Sequence, residues 1–334
     1  MKTLNEERAR MKRFQFLLAC LIFLGPISAQ EILSTDKIPE IVIKGSGDYN
    51  LLLIPCMSCR WNEWEEFMDR NLENYTMYAV TIPGYGGTPS PDLLKNTTGT
   101  PWRENALEGL SELMDEYELN DVIIVGHSWG SMVAIQLAAR RKDVVKSVIS
   151  IDGTIESTSW VKKSLSERLV QANSVVQNWE PKLKDAEEWS KFNGAVVGNT
   201  FGQTEMVRKE EMLTKIKLVS SFMATDRDVV LQYWRENTLI DLTSYLHQIH
   251  VPILDIQSFT GDNQARQKSD HLKLLSDAKA PDNVESVFMY DTKHFIMYHR
   301  PLTLDCYISD FINGYDLYDF APAESEYFEE SSMN

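Results

Sequence analysis

From about Ile41 to Ile151 the chain alternates short apolar runs with stretches whose apolar residues recur every three or four positions. The runs are Ile41–Lys44, Leu51–Pro55, Met77–Ile82, Val122–Val125 and Val144–Ile151. Val122–Val125 is wholly apolar and largely β-branched, the pattern of a strand covered on both faces of a parallel sheet. The periodic stretches, Trp61–Leu72, Trp102–Tyr117 and Met132–Ala139, predict helices with one apolar side. Gly45-Ser46-Gly47-Asp48, between the first two runs, is a hairpin-like turn signal. Strands alternating with helices predict the α/β class, a mostly parallel sheet with helices on both faces.

The alternation stops at Thr154. As far as about His250 the pattern is helices and loops rich in Lys, Glu and Trp. Strand character returns at Val251–Ile256, followed by a helix near Gln264–Leu275, a strand at Glu285–Tyr290 and a last helix from Pro301 to Phe311. The expected organisation is an α/β core built from residues 30–153 and 251–315. A helical insertion, 154–250, would sit over the carboxyl edge of the sheet as a lid.

Composition alters this picture little, but the ends alter it more. With 334 residues, 43% hydrophobic and 25% charged, the chain has an ordinary globular balance. Lys2, Arg8, Arg10, Lys12 and Arg13 precede the apolar run Phe14–Ile27, and Ile27-Ser28-Ala29-Gln30 offers a small-residue cleavage site. Residues 1–29 therefore read as a secretory signal peptide, which predicts a secreted or periplasmic protein. The run is shorter than the roughly 20 residues a membrane span needs, so no stable membrane insertion is expected after cleavage. It also continues past Cys20, which argues against a lipid anchor there.

The leader carries a net charge of +3, so removing it takes the chain from −16 to −19. So acidic a body argues against nucleic acid or anionic membrane as a partner. Part of the excess lies in residues 316–334, where Glu324, Glu326, Glu329 and Glu330 stand among Ser and Ala; this reads as a mobile acidic tail. After cleavage Cys56, Cys59 and Cys306 remain. In an oxidising compartment Cys56-Met57-Ser58-Cys59 could close as a disulfide loop, with free buried thiols as the alternative. No second ligand pair is spaced for zinc, and no metal or other cofactor is expected.

The stretch with chemistry is Gly126-His127-Ser128-Trp129-Gly130, between a buried strand and a helix. A strand that turns straight into a helix strains the middle residue and lifts its side chain clear of both elements. Residues two before and two after must be small, because the two backbones nearly touch. Ser128 is thus the candidate nucleophile, at the amide end of the following helix.

These features resemble the α/β-hydrolase superfamily, and within it the small lid-bearing esterase-like serine hydrolases. The resemblance covers about Ile41 to Phe311. It is carried by the GHSWG elbow, the loop PGYGGT after the third strand, the Val-Pro-led strand at Val251 and His294 after the last strand. LLLIP near Leu51, DRDVVLQYWRENTLIDL and KHFIMYHRP also fit the subgroup. The segment SWGS is similar to proline iminopeptidases, but their HGGPG loop is absent.

The resemblance implies an order of nucleophile, acid, base. A serine needs a neighbouring base, and of six histidines His294 stands in the loop after the last predicted strand. His127 reads as a packing residue; His247, His250, His271 and His299 read as ordinary loop or surface residues. Two carboxylates compete to orient the base. Asp262 follows the Val-Pro strand, where most relatives place the acid, one residue later than their usual spacing. Asp152, at the end of the strand after the elbow, is the alternative. Asp262 is the first expectation. The resemblance places the oxyanion donors at the amides of Trp129 and Met57. Most relatives read His-Gly where this chain reads Cys56-Met57.

The expected function is an exported serine hydrolase, carboxylesterase-like, acting on a small-molecule acyl substrate. Tyr85 and Trp160 are the candidate pocket residues, and the aromatic insertion suits an apolar or aromatic group. The alternative is a hydrolase fold that binds a ligand with weak or no turnover.

Overall fold

The computed structural model describes residues 31–92, 99–155, 164–192 and 209–320. The expected signal peptide, Trp160 and the chain beyond Phe320 lie outside the described residues. Leu33 onward forms one compact unit. Among the described residues no helix is long and apolar enough to cross a membrane.

Seven strands form one sheet in the order β1-β3-β2-β4-β5-β6-β7. They are β1 Glu40–Lys44, β2 Tyr49–Ile54, β3 Tyr75–Thr81, β4 Val122–His127, β5 Val145–Ile151, β6 Ile253–Phe259 and β7 Val284–Tyr290. All neighbours run parallel except β1, which pairs antiparallel with β3 from Glu40 opposite Thr81 to Lys44 opposite Met77. The turn at Gly45–Asp48 therefore closes no hairpin, against the sequence expectation. Leu51 to Ile54 are fully buried, and Leu51 to Leu53 take parallel partners on both sides, from β3 and β4. That leaves the more amphipathic β1 for the edge.

The alternation of side chains along the central strands decides which layer each residue meets. Leu52, Ile54, Val122 and Ile124 face α2 (Pro101–Glu116) and α3 (Trp129–Arg140), with Trp102, Leu107, Leu110, Val133 and Leu137 completing that core. Leu51, Leu53, Ile123 and Val125 face the opposite layer, with Phe67 and Met68 of α1 (Glu65–Arg70), which follows a 3-10 turn at Trp61–Trp64. Further helices after β6 and β7 are α8 (Gln264–Asp277), the short α9 (Ile296–His299) and α10 (Pro301–Asn313), whose Leu304 and Ile308 join this second core.

Between β5 and β6 the described chain is helical: α4 Leu165–Lys184, α5 Lys209–Ala224, α6 Arg227–Asn237 and α7 Leu242–Leu246. Named contacts tie this block to the core. The Glu236 carboxylate accepts from the amides of Trp102 (3.1 Å) and Arg103 (2.9 Å), which caps the open start of α2. Thr225 Oγ1 accepts from Gly86 N (3.0 Å), and Ser221 Oγ donates to the Ser58 carbonyl (2.6 Å).

The tail is anchored further than its composition suggests. The Phe320 amide donates to Phe288 O (2.9 Å), the Tyr290 amide donates to Phe320 O (2.9 Å), and Asp319 pairs with Lys268. The outer edge of β7 presents unpaired backbone groups, and this segment satisfies some of them.

Candidate active site

Ser128 sits between β4 and α3 with φ 54° and ψ −114°, a conformation sparsely populated by residues with a side chain. Its amide donates to Ile151 O (2.9 Å), which holds the elbow to the end of β5. The glycines do what the spacing requires. A Cβ on Gly126 would lie 2.4 Å from Gly130 C, and one on Gly130 would lie 2.4 Å from Ile54 O. Elbow, helix and the loop after β2 are therefore in backbone contact, and the candidate nucleophile lies beside the candidate oxyanion loop.

His294 lies in the loop after β7, and its partner is Asp152, not Asp262. Asp152 Oδ2 accepts from His294 Nδ1 at 2.5 Å, and Oδ1 accepts from Ser258 N at 2.7 Å. Asp152 is held with φ 45° and its amide donates to Ile256 O (2.7 Å). The structure does not bring Asp262, the first expectation, to His294. β6 runs to Phe259, so Asp262 is carried past the site into an exposed turn. What β6 offers there is the Ser258 amide, which orients Asp152.

Because a carboxylate faces Nδ1, the proton of a neutral His294 resides on Nδ1 and leaves Nε2 as the basic atom. Burial pulls the imidazole pKa down, but the Asp152 hydrogen bond and charge, with the charge of Glu63, outweigh it and hold it above the usual 6.5. Among the described residues no hydrogen bond joins Ser128 Oγ to His294 Nε2. Such contacts are commonly long before a substrate enters.

Trp129 opens α3, so its amide is one of the helix's free N-terminal donors. Its indole is buried against Tyr85 and Trp102, with the Arg103 guanidinium 5.3 Å from the ring centre. Met57 lies in a loop closed by a Cys56–Cys59 disulfide, Cα–Cα 5.2 Å. Its side chain packs against both the core and a cluster of the inserted helices around Trp189 and Leu231. Tyr85 is fully buried between Trp102 and Trp129, ring centres 5.5 Å from each.

Two further carboxylate–imidazole pairs were not visible in the sequence. His127 Nδ1 pairs with Glu63 Oε1, both side chains fully buried. His271 Nε2 lies 2.7 Å from Asp255 Oδ2. The second had a signal, since an acid inside a strand buried on both faces needs a partner. The first had none, because nothing in the sequence shows which residue the Glu63 carboxylate meets. Cys56, Glu63 and His127 also bring metal-ligating atoms within 4.8 Å of one another. They fit a metal poorly: the sulfur is committed to Cys59, and both imidazole nitrogens are engaged.

The pattern that defines the Alpha/beta hydrolase family matches residues 51–304, and the chain belongs to that family. The "Soluble epoxide hydrolase" of Corynebacterium sp. is 30% identical over 111 residues, 33% of this chain and 36% of that protein. "Lipase LipV" of Mycobacterium tuberculosis is 36% identical over 70 residues, 20% of this chain and 27% of that one. The matched region is less than two fifths of the length of each such relative. The crystal structure of an enol-lactonase from Burkholderia xenovorans superposes with a TM-score of 0.61 at 18% identity, covering 82% of this chain and 95% of that one. At that identity the likeness is one of fold.

Proposed function

We propose that the protein is an exported serine hydrolase that cleaves a carboxylic ester through an acyl-enzyme on Ser128. The observation that carries this reading is the Asp152–His294 hydrogen bond beside a strained serine elbow. Ser128 Oγ attacks the acyl carbonyl while His294 Nε2 takes its proton. The amides of Trp129 and Met57 receive the developing oxyanion, and Asp152 steadies the imidazolium. His294 then protonates the departing alkoxide. Water, deprotonated by His294, attacks the acyl-serine and releases the acid.

Among the reactions named for the relatives, ester cleavage suits this nucleophile better than epoxide opening. A serine that opened an epoxide would become an ether, which water does not cleave under these conditions. An acyl-serine is an ester, and the same machinery hydrolyses it. The apolar contacts of Met57 with the inserted block favour an apolar or aromatic acyl group, with that block acting as a lid. The leader composition supports export.

The second reading, a ligand-binding protein without turnover, draws on the disulfide-closed loop that stands where relatives carry His-Gly. One experiment separates the two. The mature protein is treated with a fluorophosphonate probe and the modified residue is mapped by mass spectrometry, with Ser128→Ala and His294→Ala alongside. Rapid labelling of Ser128 that disappears in the His294 variant is expected. A folded protein that takes no label would sink the enzyme reading.

A further inference from the structure

Glu63 and His127 make a polar cluster inside an otherwise apolar layer, and no step of the proposed reaction uses it. His127 Nε2 lies 3.0 Å from the main-chain carbonyl of His294. A carbonyl only accepts, so Nε2 carries a hydrogen. Nδ1 faces Glu63 Oε1 at short range, so one proton lies between those two atoms, on the ring or on the carboxyl group. Either way the pair is neutral overall. The other carboxylate oxygen, Oε2, accepts the Cys56 amide at 2.8 Å. The Glu63 main-chain carbonyl accepts the Tyr298 hydroxyl, also at 2.8 Å.

Three of these bonds end one residue or less from a candidate reacting group, the Tyr298 bond being the exception. His127 precedes the nucleophile Ser128. Cys56 precedes Met57, the oxyanion donor. The third bond holds His294 itself. The pair thus joins three separately folded loops where small errors cost most. Stability alone is a weak reason for it, since a buried ion pair can often be replaced by packed apolar side chains without loss.

We propose that Glu63 and His127 are positioning residues for the reaction at Ser128, fixing His294 through its carbonyl and the oxyanion loop through the Cys56 amide. The inference rests on the serine-hydrolase reading above. The groups facing the His294 ring are Asp152 from the end of β5, Glu63 from the 3-10 turn and His127 from β4; Lys293 and His299, nearby in sequence, bond each other through the Lys293 amide. Because the Glu63–His127 pair is neutral overall, replacing it with neutral side chains leaves the net charge around the His294 ring unchanged.

The test compares the wild-type protein with Glu63→Gln and with the double variant Glu63→Leu/His127→Phe, using p-nitrophenyl butyrate. Glu63→Gln keeps an acceptor for the Cys56 amide and removes the charge. The double variant removes the polar pair while filling its space, so it keeps a route to a folded protein if the single variant fails. Thermal unfolding is measured beside kcat, KM and the pH profile. The expected result is a fall in kcat on the order of 10–100-fold with KM little changed, and an acid limb of kcat/KM that stays in place because the pair is neutral before and after substitution. Folded variants with wild-type kcat would overturn the positioning role. Activity that falls only with the fraction unfolded would overturn it too. A wild-type protein that neither hydrolyses the ester nor labels at Ser128 fails differently, since it removes the serine-hydrolase reading itself.

Discussion

His294–Asp152 and His127–Glu63 are the same chemical pair in two settings. In both, an imidazole Nδ1 faces a carboxylate oxygen. They differ at the other nitrogen. His127 Nε2 is spent on a carbonyl, and neither side chain of its pair touches solvent. His294 keeps 41% of its side chain exposed, and Nε2 bonds no described residue. A histidine can move protons only through a nitrogen with no fixed partner. The comparison therefore separates a candidate base from a candidate brace by hydrogen-bond inventory alone, although the two rings lie 4.7 Å apart.

The sharpest way to break this contrast is to remove the acid from the outer pair. Asp152→Asn leaves the shape but lets His294 adopt the wrong tautomer, and it is expected to lower kcat by about 10⁴-fold, the size of such a loss in a serine–histidine–aspartate triad. Asp262→Asn, exposed and away from the imidazole, is expected to stay within about twofold, as surface substitutions do. Steady-state kinetics on an activated ester decide it. Equal losses in the two variants would mean that the loop before α8 rearranges to bring Asp262 to His294.

A smaller effect lies in the pH profile. The base must be neutral to accept the serine proton, and its pKa is held above 6.5. Activity should therefore rise with pH through a limb above that value. His299, five residues on, is pushed down to about 4, first by burial and then by the charges of Arg300 and Lys293. It stays neutral across the whole limb and does not contribute to it. Residual activity in Asp152→Asn should show the limb displaced to lower pH, because the hydrogen bond and charge that favour the imidazolium are gone. A limb that stays in place would assign the titration to another group.

The sequence carries the sheet and the elbow well, because both follow from local rules. Apolar runs mark β2 to β5, and the need for close backbone approach explains Gly126 and Gly130 from spacing alone. What was not legible depends on where two distant segments meet. Whether Asp152 or Asp262 reaches His294 is decided by the length of β6, since a strand running to Phe259 carries Asp262 away from the site. The hairpin signal at Gly45–Asp48 failed for a related reason. A turn fixes a reversal of the chain, but β2, buried from Leu51 to Ile54, takes parallel neighbours and leaves β1 to β3. Glu63 and His127 were opaque because an acidic side chain in a helical stretch and a histidine beside a serine each have an ordinary local explanation.

The last contrast uses the third pair, Asp255 and His271, whose effect on turnover should be smallest. Asp255 is fully buried in β6; its Oδ2 meets His271 Nε2 at 2.7 Å and its Oδ1 accepts from Gln257 Nε2 at 2.8 Å. None of these bonds reaches the elbow, the oxyanion loop or His294. They hold α8 against β6, and although Gln257 Nε2 also donates to Gly153 O (2.8 Å) beside Asp152, the pair is expected to contribute mainly to stability. His271→Ala leaves a buried carboxylate without its imidazole, which costs about 3 kcal/mol when the site stays closed. His271 retains 10% side-chain exposure, so entering water offsets part of that loss. Denaturant unfolding should show a lower midpoint with an unchanged slope, while kcat and KM of the folded fraction match the wild type. If instead kcat falls at full stability, the imidazole of His271 communicates with the active site, and burial with a satisfied partner would no longer distinguish a structural pair from a functional one.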